Sequence, residues 1–354
     1  MTAEDRSPIF LHSGWRTAKT WLWSRFRRLP GTVCFYEPEG EWIARLTPEI
    51  VASARARNWP SGHPEDVDAY YTEYLPLLGA AQGAGVPGYR ESFALRSHLR
   101  DTDPSDHERE AGEAAHFKNL IDAAAVKDGR AVFGCARTLG RIGSLKRHLG
   151  GHHLLIVRDL YRQWQSISHQ WTRHGNSYFI AGYVMIAGQN RSHPLLGPLA
   201  SRFGIPEVKG DEFDQEMGCY QLLAEKMPSV RQYELFLRVQ TAAYHSAFAW
   251  ADLLVDVDAL AGSRDQQKAA GEEITQLTGL SPDLSDCRVR PMEIAPEEEE
   301  NLAVTERFLR DVEEGEFDAA LPGDAPHGAG AKEKSLSLVA RAVGTLRTAP
   351  RSLR

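Results

Sequence analysis

Residues 9–23 read IFLHSGWRTAKTWLW. A short apolar run enters a small polar loop, and a helical pattern follows, with Leu22, Phe26 and Leu29 on one face. Ser13 to Thr20 has the length and the ending of the phosphate-cradling pattern G-x-x-x-x-G-K-S/T, yet Ser13 and Ala18 stand where its two glycines belong. A strand that runs through such a loop into a helix presents backbone N–H groups and a helix N-terminus to an anion. The reading of the fold turns on which anion that is.

Outward from this stretch, further apolar runs lie at Pro8–His12, Thr32–Tyr36, Arg130–Ala136, His153–Val157 and Asp252–Val257. They are near-continuous rather than alternating, as parallel strands covered on both faces must be. Helical stretches fall between them at Trp21–Leu29, Val67–Leu78, His116–Val126 and Leu160–His174. This alternation predicts an α/β chain with a doubly wound, mainly parallel sheet flanked by helices, its ligand beyond the carboxyl ends of the strands. One domain over residues 1–320 is expected, with helical insertions at about 43–128 and 177–249 that cover the site. Residues 321–354 carry Arg341, Arg347, Arg351 and Arg354 with no acid after Glu333, and are expected to be a flexible basic tail.

The chain has 354 residues, 42% hydrophobic and 25% charged, an ordinary globular composition. Its formal net charge of -7 gives no case for nucleic acid as a partner, so an anion site must be built locally. Cys34, Cys135, Cys219 and Cys287 are scattered without a C-x-x-C pair, which fits reduced thiols rather than a disulfide frame or a zinc site. The polar start MTAEDRSP and the lack of an apolar run near the ~18 residues of a membrane span predict a cytoplasmic protein.

A second stretch answers the opening one. In HHLLIVRDLYRQWQSISHQW, residues 152–171, an apolar strand ends at Arg158 and Ser166 follows eight residues later. Together with Arg16-Thr17-Ala18-Lys19-Thr20-Trp21, this pair resembles the two nucleotide-binding signatures of sulfotransferases that use 3′-phosphoadenosine 5′-phosphosulfate (PAPS). The resemblance implies a P-loop-like sulfotransferase fold and assigns residues 13–20 to the 5′-phosphosulfate, with Arg158 and Ser166 on the 3′-phosphate. Arg16 then falls on the catalytic Lys/Arg, Thr17 on the hydroxyl residue, Thr20 on the second threonine and Trp21 on an aromatic near the adenine. Ala18 replaces the usual glycine, so the backbone there is expected to avoid positive φ. Lys19 replaces a hydroxyl residue, and either adds charge at the 5′-phosphate or points away.

In the glycan-acting members a glutamate near the end of the second strand takes the proton of the acceptor hydroxyl. Glu37, in CFYEPEGEW, is the candidate. Glu39 and Glu41 are its rivals, since on an extended segment all three share a face. Arg137 and Arg141 either line the acceptor site or lie on the surface. His12, His116, His169 and His174 lack metal spacing and read as structural, and no metal is required.

The implied activity is sulfuryl transfer from PAPS, leaving 3′-phosphoadenosine 5′-phosphate (PAP), to a hydroxyl of a carbohydrate or other small metabolite. Two alternatives remain from the residues. Lys19 and Thr20 could serve a kinase or NTPase on Mg-ATP, with Asp159 or Asp256 holding the metal. The same fold could also bind nucleotide or a partner without catalysis.

Overall fold

The computed structural model describes residues 6–55, 69–79, 84–96, 107–208, 212–288, 297–316 and 325–348. Five strands carry it: β1 (Ile9–Ser13), β2 (Thr32–Tyr36), β3 (Arg130–Cys135), β4 (His152–Val157) and β5 (Leu253–Asp256). They pair in the order β2-β3-β1-β4-β5, every neighbour parallel. β1 and β3 are buried at every position, which is why these segments read as unbroken apolar runs. Thr32–Tyr36 falls where the sequence puts it, and the other four strands differ by a residue at one or both ends.

The helices up to β4 are α1 (Lys19–Arg27), α2 (Pro48–Ser53), α3 (Glu91–Arg96), α4 (His107–Val126) and α5 (Ile142–Leu149). After β4 come α6 (Leu160–His174), α7 (Tyr178–Gln189), α8 (Leu196–Phe203), α9 (Phe213–Lys226) and α10 (Ser229–Phe248). Beyond β5 lie α11 (Val257–Gly262), α12 (Arg264–Thr278), α13 (Glu298–Glu313) and α14 (Gly328–Thr348).

Side chains of β4 alternate between two cores, as the pleat requires. Leu154 and Ile156 pack with Leu22, Trp23 and Phe133, while Leu155 and Val157 pack with Trp164, Tyr183 and Phe236. Helices therefore cover both faces of the sheet. β1 sits at its centre and leads through α1 toward the β2 edge, whereas β4, its neighbour, leads through α6 toward the β5 edge. The connections part between β1 and β4, opening a crevice at their carboxyl ends, the position where doubly wound sheets take ligands.

Three expectations change. Val67–Leu78, read as a helix, is in its described part a 3-10 turn over Thr72–Leu77, because Pro76 cannot continue an α-helical ladder; residues 67 and 68 lie outside the described residues. The helix read from His116 begins at His107. The segment expected as a flexible basic tail contains α14, which packs on α10, α13 and α6. Ala331, Ser335, Leu338, Val339, Ala342 and Leu346 recur at helical spacing and are buried; residues 321–324 and 349–354 lie outside the described residues. Among the described residues no helix is long and apolar enough to cross a membrane.

Candidate active site

The loop between β1 and α1 is tied down at both ends. Ser13 Oγ donates to the Cys135 carbonyl at 3.2 Å, and Thr17 Oγ1 turns back to the Gly14 carbonyl at 2.8 Å. A Cβ at Gly14 would lie 2.5 Å from Gln240 Nε2, so a side chain there would have to displace the Gln240 amide of α10. Arg16 and Ala18 both have positive φ, 65° and 64°. The expectation for Ala18 therefore fails: it occupies the left-handed region as the N-cap of α1 and takes the N–H groups of Trp21 and Leu22 on its carbonyl. Positive φ on either side of Thr17 is the alternation with which backbone nests turn N–H groups toward an anion. The first turn of α1 holds no acidic side chain and leaves N–H groups without intrahelical acceptors.

The turn from β4 into α6 meets this loop from the other side. Arg16 Nε donates to Ser166 Oγ at 2.8 Å, and Arg158 Nη1 donates to the Arg16 carbonyl at 3.0 Å. Gln163 Nε2 adds a bond to the Trp15 carbonyl at 2.6 Å. Asp159 caps α6 by accepting from the Arg162 N–H, which fixes where Arg158 and Ser166 stand. Burial and then the neighbouring Arg158 guanidinium lower Arg16 to about 10. Arg158 is also lowered, by burial first, with Asp258 opposing. Its Nε is buried with no hydrogen-bond partner. Two guanidiniums drawn together in a buried place make an electrostatic hole for an anion.

Lys19 points the other way. Its Nζ donates to Glu37 Oε1 at 2.6 Å and to the Gly134 carbonyl at 3.2 Å, and lies 4.4 Å from the centre of the Tyr36 ring. Thr20 Oγ1 is 2.9 Å from the Tyr36 hydroxyl. Trp21 is half-buried, its Nε1 donating to Asp286 at 3.0 Å.

The three glutamates do not share a face. Glu37 has φ 43°, which ends the extended backbone, and Glu41–Ala44 is a 3-10 turn. Glu37 keeps 26% of its side chain exposed beside Lys19. Glu39 is buried, and burial pushes its carboxyl up to about 7 against the pull of Lys19. Glu41 is locked between the Arg137 guanidinium and the Tyr178 hydroxyl, which donates to it at 2.9 Å.

Arg137 and Arg141 are buried, not surface charges, the latter paired with Glu113. His12 bridges Thr138 and His153 inside the sheet, and His116 bonds the Pro38 carbonyl, so both hold the fold. His169 and His174 touch each other edge to face. Phe179, 5.6 Å from the Arg16 guanidinium, and Tyr178 border the loop. Sequence spacing carried no signal for Tyr178, Phe179 or Gln163, which reach the site only through helix packing. Comparison with protein-family models, curated proteins and solved structures finds no match to this chain.

Proposed function

We propose that the chain is a PAPS-dependent sulfotransferase of P-loop-like sulfotransferase architecture, acting on a hydroxyl of a carbohydrate or other small metabolite. The observation that carries this reading is the meeting of Arg16, Ser166 and Arg158 where the connections leaving β1 and β4 part. A 3′-phosphate suits Arg158, whose Nε lacks a partner, and Ser166, whose hydroxyl proton is left to donate because its oxygen accepts from Arg16. The 5′-phosphosulfate suits the loop N–H groups and the Arg16 guanidinium.

The donor supplies a sulfuryl group on a phosphate leaving group. An acceptor oxygen forms the new S–O bond as the bond to the bridging oxygen breaks, and the electron pair of the broken bond stays with the phosphate. Arg16 meets the charge that grows on the bridging oxygen. Glu37 receives the acceptor's proton, and Lys19 holds that carboxylate in place through one of its oxygens.

The kinase reading loses support at the residues it needs. Lys19 is engaged by Glu37 and Thr20 by Tyr36, Asp159 caps α6, and Asp256 caps α11 while paired with Arg341. Thermal unfolding with PAP, without metal, beside Mg-ATP tests the proposal. PAP at a hundred times its Kd is expected to stabilise the fold by about 2.7 kcal/mol. Stabilisation by Mg-ATP with none by PAP would return Lys19 and Thr20 to a triphosphate.

A further inference from the structure

Around Arg158 the carboxyl ends of β4 and β5 gather three acids. Asp159 is its sequence neighbour, Asp256 pairs across the sheet with Val157, and Asp258 accepts the Asp159 N–H at 2.6 Å. A buried guanidinium that feels the charges of Asp258 and Asp159 would close on a carboxylate within its reach, and an arginine held in that way no longer offers its fork to a phosphate. Arg158 does not do so here; it reaches the Arg16 carbonyl instead.

Asp159 and Asp256 are engaged from elsewhere, whereas Asp258 keeps one buried oxygen, Oδ1, without a hydrogen-bond partner. Arg341 of α14 forms an ion pair with Asp256 through Nη1, and its Nε lies 3.8 Å from Asp159 Oδ2. Thr345, one turn further along the same helix, donates to Asp159 Oδ2 at 2.9 Å. Arg162 stands 3.6 Å from Asp258 Oδ1. Asp256 and Asp159 also cap α11 and α6, so their positions are fixed by backbone as well.

We infer that Arg341 is a positioning residue of the candidate donor site: with Thr345 it holds the carboxylates of Asp159 and Asp256 and so leaves the Arg158 guanidinium for the 3′-phosphate. The inference rests on the donor-site reading above. It gives α14 a part in ligand selectivity that its packing alone does not require.

Calorimetric titration of the whole chain with PAP and with adenosine 5′-phosphosulfate, which has no 3′-phosphate, tests it. Arg341→Met removes the charge and keeps the apolar stem; PAP affinity is expected to fall about tenfold or more, with the second nucleotide within about twofold. Arg341→Lys should recover much of the loss. Asp159→Asn added to Arg341→Met should recover it too, because asparagine caps a helix as well as aspartate does but carries no charge to draw Arg158. Should Arg341→Met fail to fold, the milder Thr345→Val is expected to give a smaller loss, again confined to PAP.

Unchanged PAP affinity in Arg341→Met, or in Thr345→Val where that variant stands in for it, overturns the inference while the donor reading stands. Equal losses for the two nucleotides do the same, since they mark a merely structural residue. Wild-type protein that binds neither nucleotide overturns the donor reading and this inference with it.

Discussion

Ala18 sits in a conformation that L side chains resist, and it does so between two residues on which the candidate chemistry depends. Among the described residues four non-glycines have positive φ, and Arg16, Ala18 and Glu37 are three of them. Left-handed backbone costs an L-residue about 1–2 kcal/mol, a strain the loop holds because Gln163, Ser166 and Arg158 tie it to the β4–α6 side. Ala18→Gly should relieve most of that cost. The freer unfolded chain takes back about 0.4–1 kcal/mol, leaving a net gain of up to about 1 kcal/mol in urea unfolding. A clear loss of stability would mean that Ala18 is not left-handed. The same backbone explains what the sequence conveyed at this scale. Spacing places Arg16 and Arg158 just beyond strand ends, Lys19 and Thr20 at the start of α1 and Ser166 within α6, because strand and helix periods are short-range. It does not give the direction of Lys19 or the separation of Glu37, Glu39 and Glu41, which hang on a positive φ at Glu37 that no propensity favours.

At the scale of elements, β1 to β4 were legible because burial on both faces leaves an unmixed apolar run, β5 from its apolar residues although it is a partly exposed edge strand, and Leu160–His174 from its amphipathic face. α14 was not. Gly328, Gly330 and Gly344 each cost a helix about 1 kcal/mol relative to alanine, and the arginines suggested a solvated end. Packing overrides that propensity, as it does for most helices. Leu338→Ala should therefore cost about 2–4 kcal/mol, the range of a buried leucine cut to its Cβ. Denaturant unfolding checks this; a change within about 0.5 kcal/mol would be that of a solvated tail.

For the whole molecule, buried titratable groups set the response to acid. Burial holds His116, His153 and His193 at about 4, and pushes His12 well below the ordinary 6.5. The unfolded chain takes up these protons first, so their stabilisation is complete above pH 6.5 and is lost as pH falls toward 4. Glu39 acts in the opposite sense. Its folded carboxyl, at about 7 against an ordinary 4.5, keeps a proton that the unfolded chain gives up, so it lowers stability as pH rises through that window. The melting temperature is expected to fall from pH 6.5 to pH 4. Glu39→Gln should match the wild type near pH 4.5 and exceed it above pH 7, by at most about 3 kcal/mol. A variant less stable than wild type at pH 8 would mean that Lys19 holds Glu39 ionised.

The central place of β1 bears on synthesis as well. At roughly 5–20 residues per second, a ribosome finishes β1 some 6–30 s before β3 and β4 emerge to pair with it. Until then β1 is an open template on both edges. Since half of the candidate anion site waits for residues 158–166, a nucleotide meets only an incomplete site on the nascent chain. Any protection it gives must therefore come as slower unfolding of the finished molecule, not as faster folding of the new one.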